Sequence, residues 1–596
     1  MNGELDAVNE KSQEFRPPRS RSRSDVQQDS SFAQNTSQTT SEDHRDEAAE
    51  KRQSRRSHSR SRSLERSWSL NDGISIGGNE FEGDAEEAAQ EAPGEEGYTV
   101  RWDENDPSNP QNMSKARRWM IVIIVSMGSL CVTCTSSMYT TTYSQLMKDF
   151  NCSQEVATLG LSFFIWGLGL LFLNSSSGMI PNLFTRMAGI GPLFLSPLSE
   201  VNGTITDRPQ FYGRRNIYIV SFSLFLIWLI PCAVAQNIQT MLICRFFNGL
   251  SGSAFLSVAG GTVGDMFDRQ DLAFPMMLYT ASPFIGPEVG PLVGGFINDF
   301  TNWRWTFYVL LIWTGVLLVS IVLFVPETYH PVLLRRKAQK LRAETGDDRY
   351  KAPIEKLHRS VAQTVLRSMY RPILLLTLEP MCLNLCVFSA ILLGILYLFF
   401  GAFQLIFEHV YGFTLWQRGL CFMGLFVGMV LAIISDPLWR RNYARLERNF
   451  QRDNNGDDDF QPEWRLPPAI LGGPLVTIGL FIFAWTIYSD VHWIGPIIGS
   501  GIFGAGVILV YAGIFTFLVD AYPTFAASAL AANSFMRSSF GGIFPLFGIQ
   551  MYNNLGYHWA TSLLAFLTLA MLPFPYLFFR YGSRIRSKSR FATHQI

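Results

Sequence analysis

Twelve apolar segments, each about twenty residues long, restrict this 596-residue chain to a small set of folds. A helix of about twenty apolar residues is long enough to cross a hydrocarbon core of about 30 Å. The segments fall into two sets of six. The first set lies near 119–140, 156–198 (interrupted), 216–236, 240–262, 273–297 and 304–325, and the second near 373–404, 416–438, 467–488, 493–519, 525–550 and 557–580. The sequence therefore predicts an all-α membrane protein with twelve transmembrane helices in two six-helix halves.

Polar segments separate and flank the two halves. Residues 1–98 are rich in Arg and Ser and then acidic, with too little apolar surface to offset the entropy of ordering. Arg-Ser tracts either bind RNA or are phosphorylated, and we expect a disordered N-terminal tail that is phosphorylated in the cytosol. The predicted domains are this tail at 1–98, a first half at 99–325, a central loop at 326–371, a second half at 372–580 and a basic tail at 581–596.

Lys and Arg predict the orientation of the chain. An even number of spans places both termini and the basic central loop on one side, which the positive-inside rule makes cytosolic. The loop after the first span then lies outside and carries the sequon Asn151-Cys152-Ser153, which predicts glycosylation at Asn151. The eight cysteines mostly fall within apolar runs, so the sequence predicts neither a disulfide framework nor a metal site.

The fourth and fifth spans carry the most informative pattern. Arg245 and Glu288 are intramembrane charges of opposite sign at similar predicted depths, roughly 9 and 13 Å from the same surface, so we expect them to pair. The pair is either a structural ion pair or a protonatable site. Prolines at three- or four-residue spacing kink a membrane helix, and they predict that the fifth span moves. The small and kinking residues there are Gly286, Pro287, Gly290, Pro291 and Gly294.

Two further charges lie within the predicted spans of the second half. Glu379, at the start of the seventh span, is a candidate for proton coupling, or alternatively an interfacial residue whose side chain reaches water. Arg537, in the eleventh span, is either part of a substrate cavity or a packing partner for a backbone carbonyl. A carboxylate that an arginine approaches in only one conformation can bind a proton on one side and release it on the other. The aspartates at span ends, Asp265, Asp436 and Asp520, are expected to make gate or loop contacts.

Several motifs together resemble a known family. SPLSE at 196–200 followed by FYGRRNIY at 211–218 is similar to the loop signature between the second and third spans of the major facilitator superfamily. Arg245 with Gly249 resembles the arginine motif of proton antiporters, and the Gly-Pro series resembles their fifth-span motif. WDENDPSNPQN, NWRWTFY, PETYHPVLLRRKAQKLR, LVDAYP and ANSFMRSSFGGIFPLF are similar to fungal twelve-span drug:proton antiporters, especially the polyamine and fluconazole exporter branch.

The resemblance implies the MFS fold, with a substrate site between the halves near the midplane. It also implies proton-coupled export of amphipathic or cationic molecules, such as drugs, azoles or polyamines, at the plasma membrane or alternatively the vacuolar membrane. The expected partners are a small-molecule substrate, protons and the lipid bilayer, with no nucleic acid, no cofactor beyond the proton gradient, and a monomeric state. The implied gate residues are Glu200, Gly213, Arg214 and Arg215, and the candidate cavity residues are Trp166, Tyr279, Tyr397, Phe403, Phe535 and Arg537.

The second span departs from the family pattern. Residues 170–190 interrupt the second span, and residues 201–210 interrupt the loop signature. The first of these segments contains polar residues that are unfavourable in lipid. We expect a mis-spliced gene model, and a genuine insertion would instead have to loop out and impair transport. The alternative function is therefore a transport-inactive sensor or scaffold with the same fold. An enzyme is not expected, because the sequence has no nucleophile and base constellation, nucleotide-binding loop or metal cluster.

Overall fold

The computed structural model describes residues 100–103, 106–169, 213–267, 271–356, 361–453, 461–587, 589 and 591–592. The predicted tail at 1–98, the inserts at 170–190 and 201–210, and Glu200 lie outside the described residues. Within them the fold is built from helices. We call the end of the helix bundle that contains Lys115 and Met266 the basal end, and the end that contains Phe300 and Leu555 the distal end.

The first half contains seven helices. They are α1 (Lys115–Met138), α2 (Tyr143–Phe150), α3 (Gln154–Gly169), α4 (Arg214–Ala233), α5 (Ile238–Met266), α6 (Ala273–Phe300) and α7 (Trp303–Phe324). Asparagine side chains cap α5 and α7 at the distal end, where Asn237 accepts from Thr240 N at 2.8 Å and Asn302 from Arg304 N at 3.1 Å. A polar helix, α8 (His330–Thr345), and an amphipathic helix, α9 (Val361–Leu378), follow at the basal end.

The second half contains nine helices. They are α10 (Pro380–His409), α11 (Leu415–Leu420), α12 (Met423–Ile434), α13 (Asp436–Asp453), α14 (Pro467–Trp485), α15 (Ile494–Ala521), α16 (Ala526–Leu555), α17 (Tyr557–Met571) and α18 (Pro573–Arg586). The seventh span begins at Pro380 and ends at His409, later than the predicted 373–404. Glu379 has extended backbone angles (φ −111°, ψ 95°), because the residue before a proline disfavours the helical region, and this separates α9 from α10.

The described residues contain nine segments that are long and apolar enough to cross a membrane. Two more spans, α6 and α16, are 28 and 30 residues long and carry internal prolines. The helix α3 is the described part of the interrupted second span. These segments confirm the predicted fold class, an all-helical bundle of twelve spans.

The same packing pattern recurs in the two halves. The first span packs on the fifth, the second on the fourth, and the third on both the fourth and the sixth. Glycines permit the closest approaches, since helices in lipid associate through packing. A Cβ at Gly290 would lie 3.0 Å from the Cys134 carbonyl oxygen, and one at Gly499 would lie 2.5 Å from the Phe483 nitrogen. The halves are therefore two similarly built bodies.

The two halves meet along a pair of equivalent contacts. The second span of the first half, α3, packs on α16, and the fifth, α6, packs on α11 and α12. At the distal end Gln550 donates to Glu155 at 2.9 Å, and a Cβ at Gly295 would lie 3.0 Å from the Leu415 carbonyl oxygen. The distal ends of the halves are thus in direct contact. Although α6 contains Pro283, Pro287 and Pro291, it is one continuous helix.

Candidate functional site

Arg245 is built into the first half. Its guanidinium donates to the carbonyl oxygens of Thr135 at 2.9 Å, Ser136 at 3.3 Å and Gly160 at 3.3 Å. Two of these carbonyls belong to the last turn of α1, where helical donors run out. The same cation lies over the rings of Tyr139 at 4.4 Å and Phe164 at 4.5 Å, and the side chain is completely buried. Arg245 therefore fastens α1, α3 and α5 together.

Glu288 is buried between the halves without a hydrogen-bond partner. It lies on α6 and is 1% exposed, and neither carboxylate oxygen accepts a hydrogen bond in the part of the chain that the structure describes. The predicted Arg245–Glu288 pair is wrong, because Arg245 directs its donors to carbonyls of its own half. Equal depth fixes a position along the helix axis but not the direction in which a side chain points. The groups in electrostatic range of Glu288 are the Cys134 thiol and the Tyr397 hydroxyl.

Arg537 occupies the middle of α16, about 16 Å along the helix from Ala526. Its Cζ lies 5.4 Å from the centre of the Tyr511 ring and 4.9 Å from that of Phe515. The Nε makes no hydrogen bond, and the described residues provide neither a carbonyl acceptor nor an ion-pair partner for the guanidinium. Packing against a carbonyl, the alternative considered from the sequence, is therefore not observed.

Tyr397 joins these charges across the boundary between the halves. Its hydroxyl lies 3.3 Å from the Ser136 hydroxyl of the first half, and it interacts electrostatically with Glu288, Arg537 and Arg245. Trp166, another predicted cavity residue, also lies at this boundary, since a Cβ at Gly542 would lie 2.6 Å from Trp166 Cδ1.

The remaining predicted cavity residues are more dispersed. Phe403 belongs to the core of the second half, with its ring 4.6 Å from Phe422 and 5.2 Å from Phe483, and this removes it from the set that lines the boundary. Tyr279 is fully buried in the first half and donates to the Leu256 carbonyl at 2.7 Å. Phe535 is half-buried on α16.

A small apolar pocket lies between α6 of the first half and α12 and α15 of the second. Across it, Phe284 stacks on Tyr511 with ring centres 5.5 Å apart. The aromatic content of the spans makes Phe284, Tyr511 and Phe515 candidates for a cavity lining, and all three line this pocket. The lining residues are Met277, Thr280, Ala281, Phe284, Ile433, Ile508, Tyr511 and Phe515.

The predicted gate motif lies at the basal end, at the start of α4. The carboxylate of Glu327 accepts from the backbone nitrogens of Arg214 at 2.9 Å and Arg215 at 3.3 Å, an arrangement that the dipole of α4 favours. A Cβ at Gly213 would lie 2.6 Å from the Glu327 carboxyl carbon, so a larger residue there would displace the carboxylate from the start of α4. The Arg214 guanidinium pairs with Asp265 at 2.9 Å, which joins α4 to α5.

The second half has an ion-paired basal end as well. Arg465 pairs with Asp520 at 2.7 Å, and Arg586 pairs with Glu463 at 2.7 Å. Glu379 lies here, away from Glu288, with Tyr522 donating to it at 3.3 Å and Ser589 at 2.8 Å. Only 4% of Glu379 is exposed, so its side chain does not reach water as the interfacial alternative expected.

A strap formed by residues 100–103 and 106–112 docks on the basal end. The Trp102 indole donates to Nδ1 of His330 at 3.0 Å, and Nε2 of His330 lies 3.0 Å from the Asp265 carbonyl oxygen. Because an indole nitrogen can only donate, Nδ1 must be the acceptor and Nε2 carries the proton. Lys337 bonds Asp106 at 2.7 Å, which lowers the pKa of Asp106. Although burial opposes its charge, Lys337 has a raised pKa because Asp103 and Asp106 bond it.

Asn151 is exposed and ends α2 at the distal end with a left-handed backbone (φ 45°), a conformation that asparagine tolerates. Glycosylation there stays a prediction.

Comparison with known proteins shows which family has this architecture. A family model described as Major Facilitator Superfamily matches residues 125–545. Efflux pump atB of Aspergillus terreus is 54% identical over 489 residues, which cover 82% of this chain and 88% of that protein. Probable drug/proton antiporter YHK8 of Saccharomyces cerevisiae is 40% identical over 505 residues, with 84% and 91% covered. The partially occluded inward open structure of the Escherichia coli xylose transporter XylE matches with a TM-score of 0.52 at 16% identity, with 78% and 98% covered, and that likeness concerns the fold alone.

Proposed function

Because the chain belongs to the Major Facilitator Superfamily and is a multi-pass membrane transporter, we propose that it exports small amphipathic molecules in exchange for protons. The relatives named as an efflux pump and a drug/proton antiporter support export and proton coupling. The single observation that carries the proposal is the burial of Glu288 without a hydrogen-bond partner in the described residues.

Glu288 is proposed as the proton carrier. Burial of an ionised carboxylate without a partner costs several kcal/mol of free energy. The protonated, neutral acid avoids most of this cost. The site therefore favours the protonated form in the conformation described. A conformation that opens the site to water on the basal side would let Glu288 ionise and release the proton there.

The helix α6 is proposed as the moving element. It carries Glu288, and its distal turns pack on α11 through Gly295. Rocking of one half against the other would separate these distal contacts and expose Glu288 to the opposite side. We propose that the basal end faces the cytosol, because basic residues concentrate there, and that the protein works in the plasma membrane, with the vacuolar membrane as the alternative.

Transport by proteoliposomes with an acidic lumen tests the proposal. Uptake of radiolabelled probes (an azole, spermidine and 1-naphthoate) is measured with and without a protonophore. We expect the wild type to take up at least one probe only while the pH gradient persists. We expect Glu288→Gln to lose gradient-driven uptake but to keep exchange of labelled for unlabelled probe, because the variant mimics a permanently protonated carrier.

Glu379→Gln is the matched control, since it removes a buried carboxylate that hydrogen bonds at the basal end hold in place. It should keep gradient-driven uptake. Full gradient-driven uptake by Glu288→Gln would overturn the assignment of Glu288. Absence of gradient-driven uptake of every probe by the wild type would instead favour the transport-inactive sensor or scaffold.

A further inference from the structure

The two intramembrane arginines differ in what holds them. Arg245 donates to three carbonyls and is completely buried, so its hydrogen-bonding capacity is used within the first half. Arg537 is partly exposed, unlike Arg245, and its guanidinium meets neither a carbonyl nor a carboxylate within the described residues. A guanidinium inside a membrane is costly and is normally paired. Arg537 therefore has donors available for a group that the protein itself does not supply.

Two aromatic residues, Tyr511 and Phe515, hold Arg537, and of these only the Tyr511 hydroxyl bonds its guanidinium. Tyr511 and Phe515 are almost parallel, at 5° with centres 5.5 Å apart, and the guanidinium lies near both rings. Contact through the ring faces and one bond to the Tyr511 hydroxyl leave other N–H groups of the guanidinium available, and such a fork of N–H groups matches a carboxylate in a bidentate arrangement. The hydroxyl of Tyr511 is itself fixed by donating to the Ser389 carbonyl at 3.2 Å. The platform is thus rigid before any ligand binds.

The surroundings favour an anion over a cation. Glu288 is the one acid found at the boundary near Tyr397 among the described residues, and in its neutral form it leaves Arg537 uncompensated. The like charge of Arg537 would repel a bound cation, and a polyamine would need several carboxylates. The apolar pocket beside Tyr511 and Phe515 provides space that suits a ring or an alkyl body.

We infer that Arg537 is the substrate-binding cation and that the preferred substrates are amphipathic organic anions, a carboxylate attached to an aromatic or other apolar body. This inference rests on the proposed export function and replaces the cationic substrates that the sequence analysis expected. The carboxylate lies at the edge of the Arg537 guanidinium, and the apolar body packs toward Tyr511, Phe515 and the pocket.

Three probes that share one ring system test the inference. They are 1-naphthoate, 1-naphthamide and (1-naphthylmethyl)trimethylammonium, an anion, a neutral amide and a permanent cation. Uptake into proteoliposomes with an acidic lumen is measured for each. Passive partition drives a weak acid out of an acidic lumen, so accumulation of 1-naphthoate there requires the protein. We expect the wild type to take up the anion at least tenfold faster than the cation.

Variants test whether the Arg537 side chain causes the preference for the anion. Arg537→Gln should lower 1-naphthoate uptake at least tenfold and leave uptake of the amide within twofold, whereas Arg537→Lys should retain part of the anion uptake. Arg418→Gln is the matched control, because it removes one positive charge from the second half at the distal end, where Arg418 pairs with Glu408. Monodispersity and thermal stability of each variant are measured first, and the comparison of probes on the wild type needs no variant.

The outcomes separate this inference from the proposed function. Gradient-driven uptake of the cation or amide in preference to the anion would overturn the inference and leave proton-coupled export intact. An equal loss of uptake of all three probes by Arg537→Gln would also overturn the inference, since Arg537 would then be needed for transport without selecting substrates by charge. Absence of gradient-driven uptake of any probe would remove the proposed function itself.

Discussion

Replacing each intramembrane arginine by lysine should separate a structural arginine from one that is free to bind substrate. Lysine keeps the charge but has one ammonium group, which cannot reach three carbonyls on two helices or lie flat against an aromatic ring. At Arg245 the change loses at least two of the three carbonyl bonds. At Arg537 it loses no hydrogen bond to a carbonyl or carboxylate within the described residues, and lysine can still reach the Tyr511 hydroxyl.

The expected magnitude follows from those bonds. Hydrogen bonds from a charged donor contribute about 1.5–3 kcal/mol each, so the loss of two lowers the free energy of unfolding by about 3–6 kcal/mol. For a body of about 200 residues, the size of one half, a change of 1 kcal/mol shifts Tm by roughly 2–4 °C. Arg245→Lys should therefore lower Tm by at least about 6 °C, and Arg537→Lys by less than about 4 °C.

The assay uses the cysteines of the protein. Seven of the eight are buried, so a dye that becomes fluorescent on reaction with thiols reports unfolding of the detergent-solubilised protein during heating. Unfolding of a membrane protein is often irreversible, so the variants are compared at one scan rate. Equal stability of Arg245→Lys and the wild type, with loss of gradient-driven uptake, would refute the structural role and return Arg245 to proton coupling.

Two further predictions concern pH and voltage. The lowered pKa of Asp106 keeps the strap docked above pH 3.8, the ordinary pKa of an aspartate, and docking weakens as the pH falls through the lowered pKa. The raised pKa of Lys337 keeps the strap docked below pH 10.5, and docking weakens as the pH rises through the raised pKa. Protection of the strap from proteolysis should therefore fall both in strong acid, below pH 3.8, and at strongly alkaline pH, above 10.5. If one proton exchanges for one organic anion at Arg537, two charges move, so a potential of 100 mV should contribute about 4.6 kcal/mol, measured as faster uptake when a valinomycin-imposed K⁺ gradient makes the lumen positive.

The relation between sequence and site differs from helix to helix. Arg214 lies at the start of a helix beside the loop motif, but the acids that meet it come from elsewhere: Glu327 from the segment between α7 and α8, and Asp265 from the end of α5. Glu379 combines a helix break, which the local sequence predicts, with a hydrogen bond to a residue far away in the sequence. The following proline predicts a break in the helix, whereas the bond from Ser589, near the end of the chain, required the packed structure.

The sequence by itself determined the spans, the two halves and the family, because hydropathy, length and turn residues act locally along the chain. Tertiary structure decided where the charged side chains point. Depth in the membrane follows from counting residues along one helix, but the direction of a side chain depends on how neighbouring helices rotate and pack. For this reason Arg245 and Glu288, similar in depth and opposite in sign, are not paired, and Phe403 faces its own half. The same packing leaves Glu288 and Arg537 between the halves without carbonyl or carboxylate partners in the described residues.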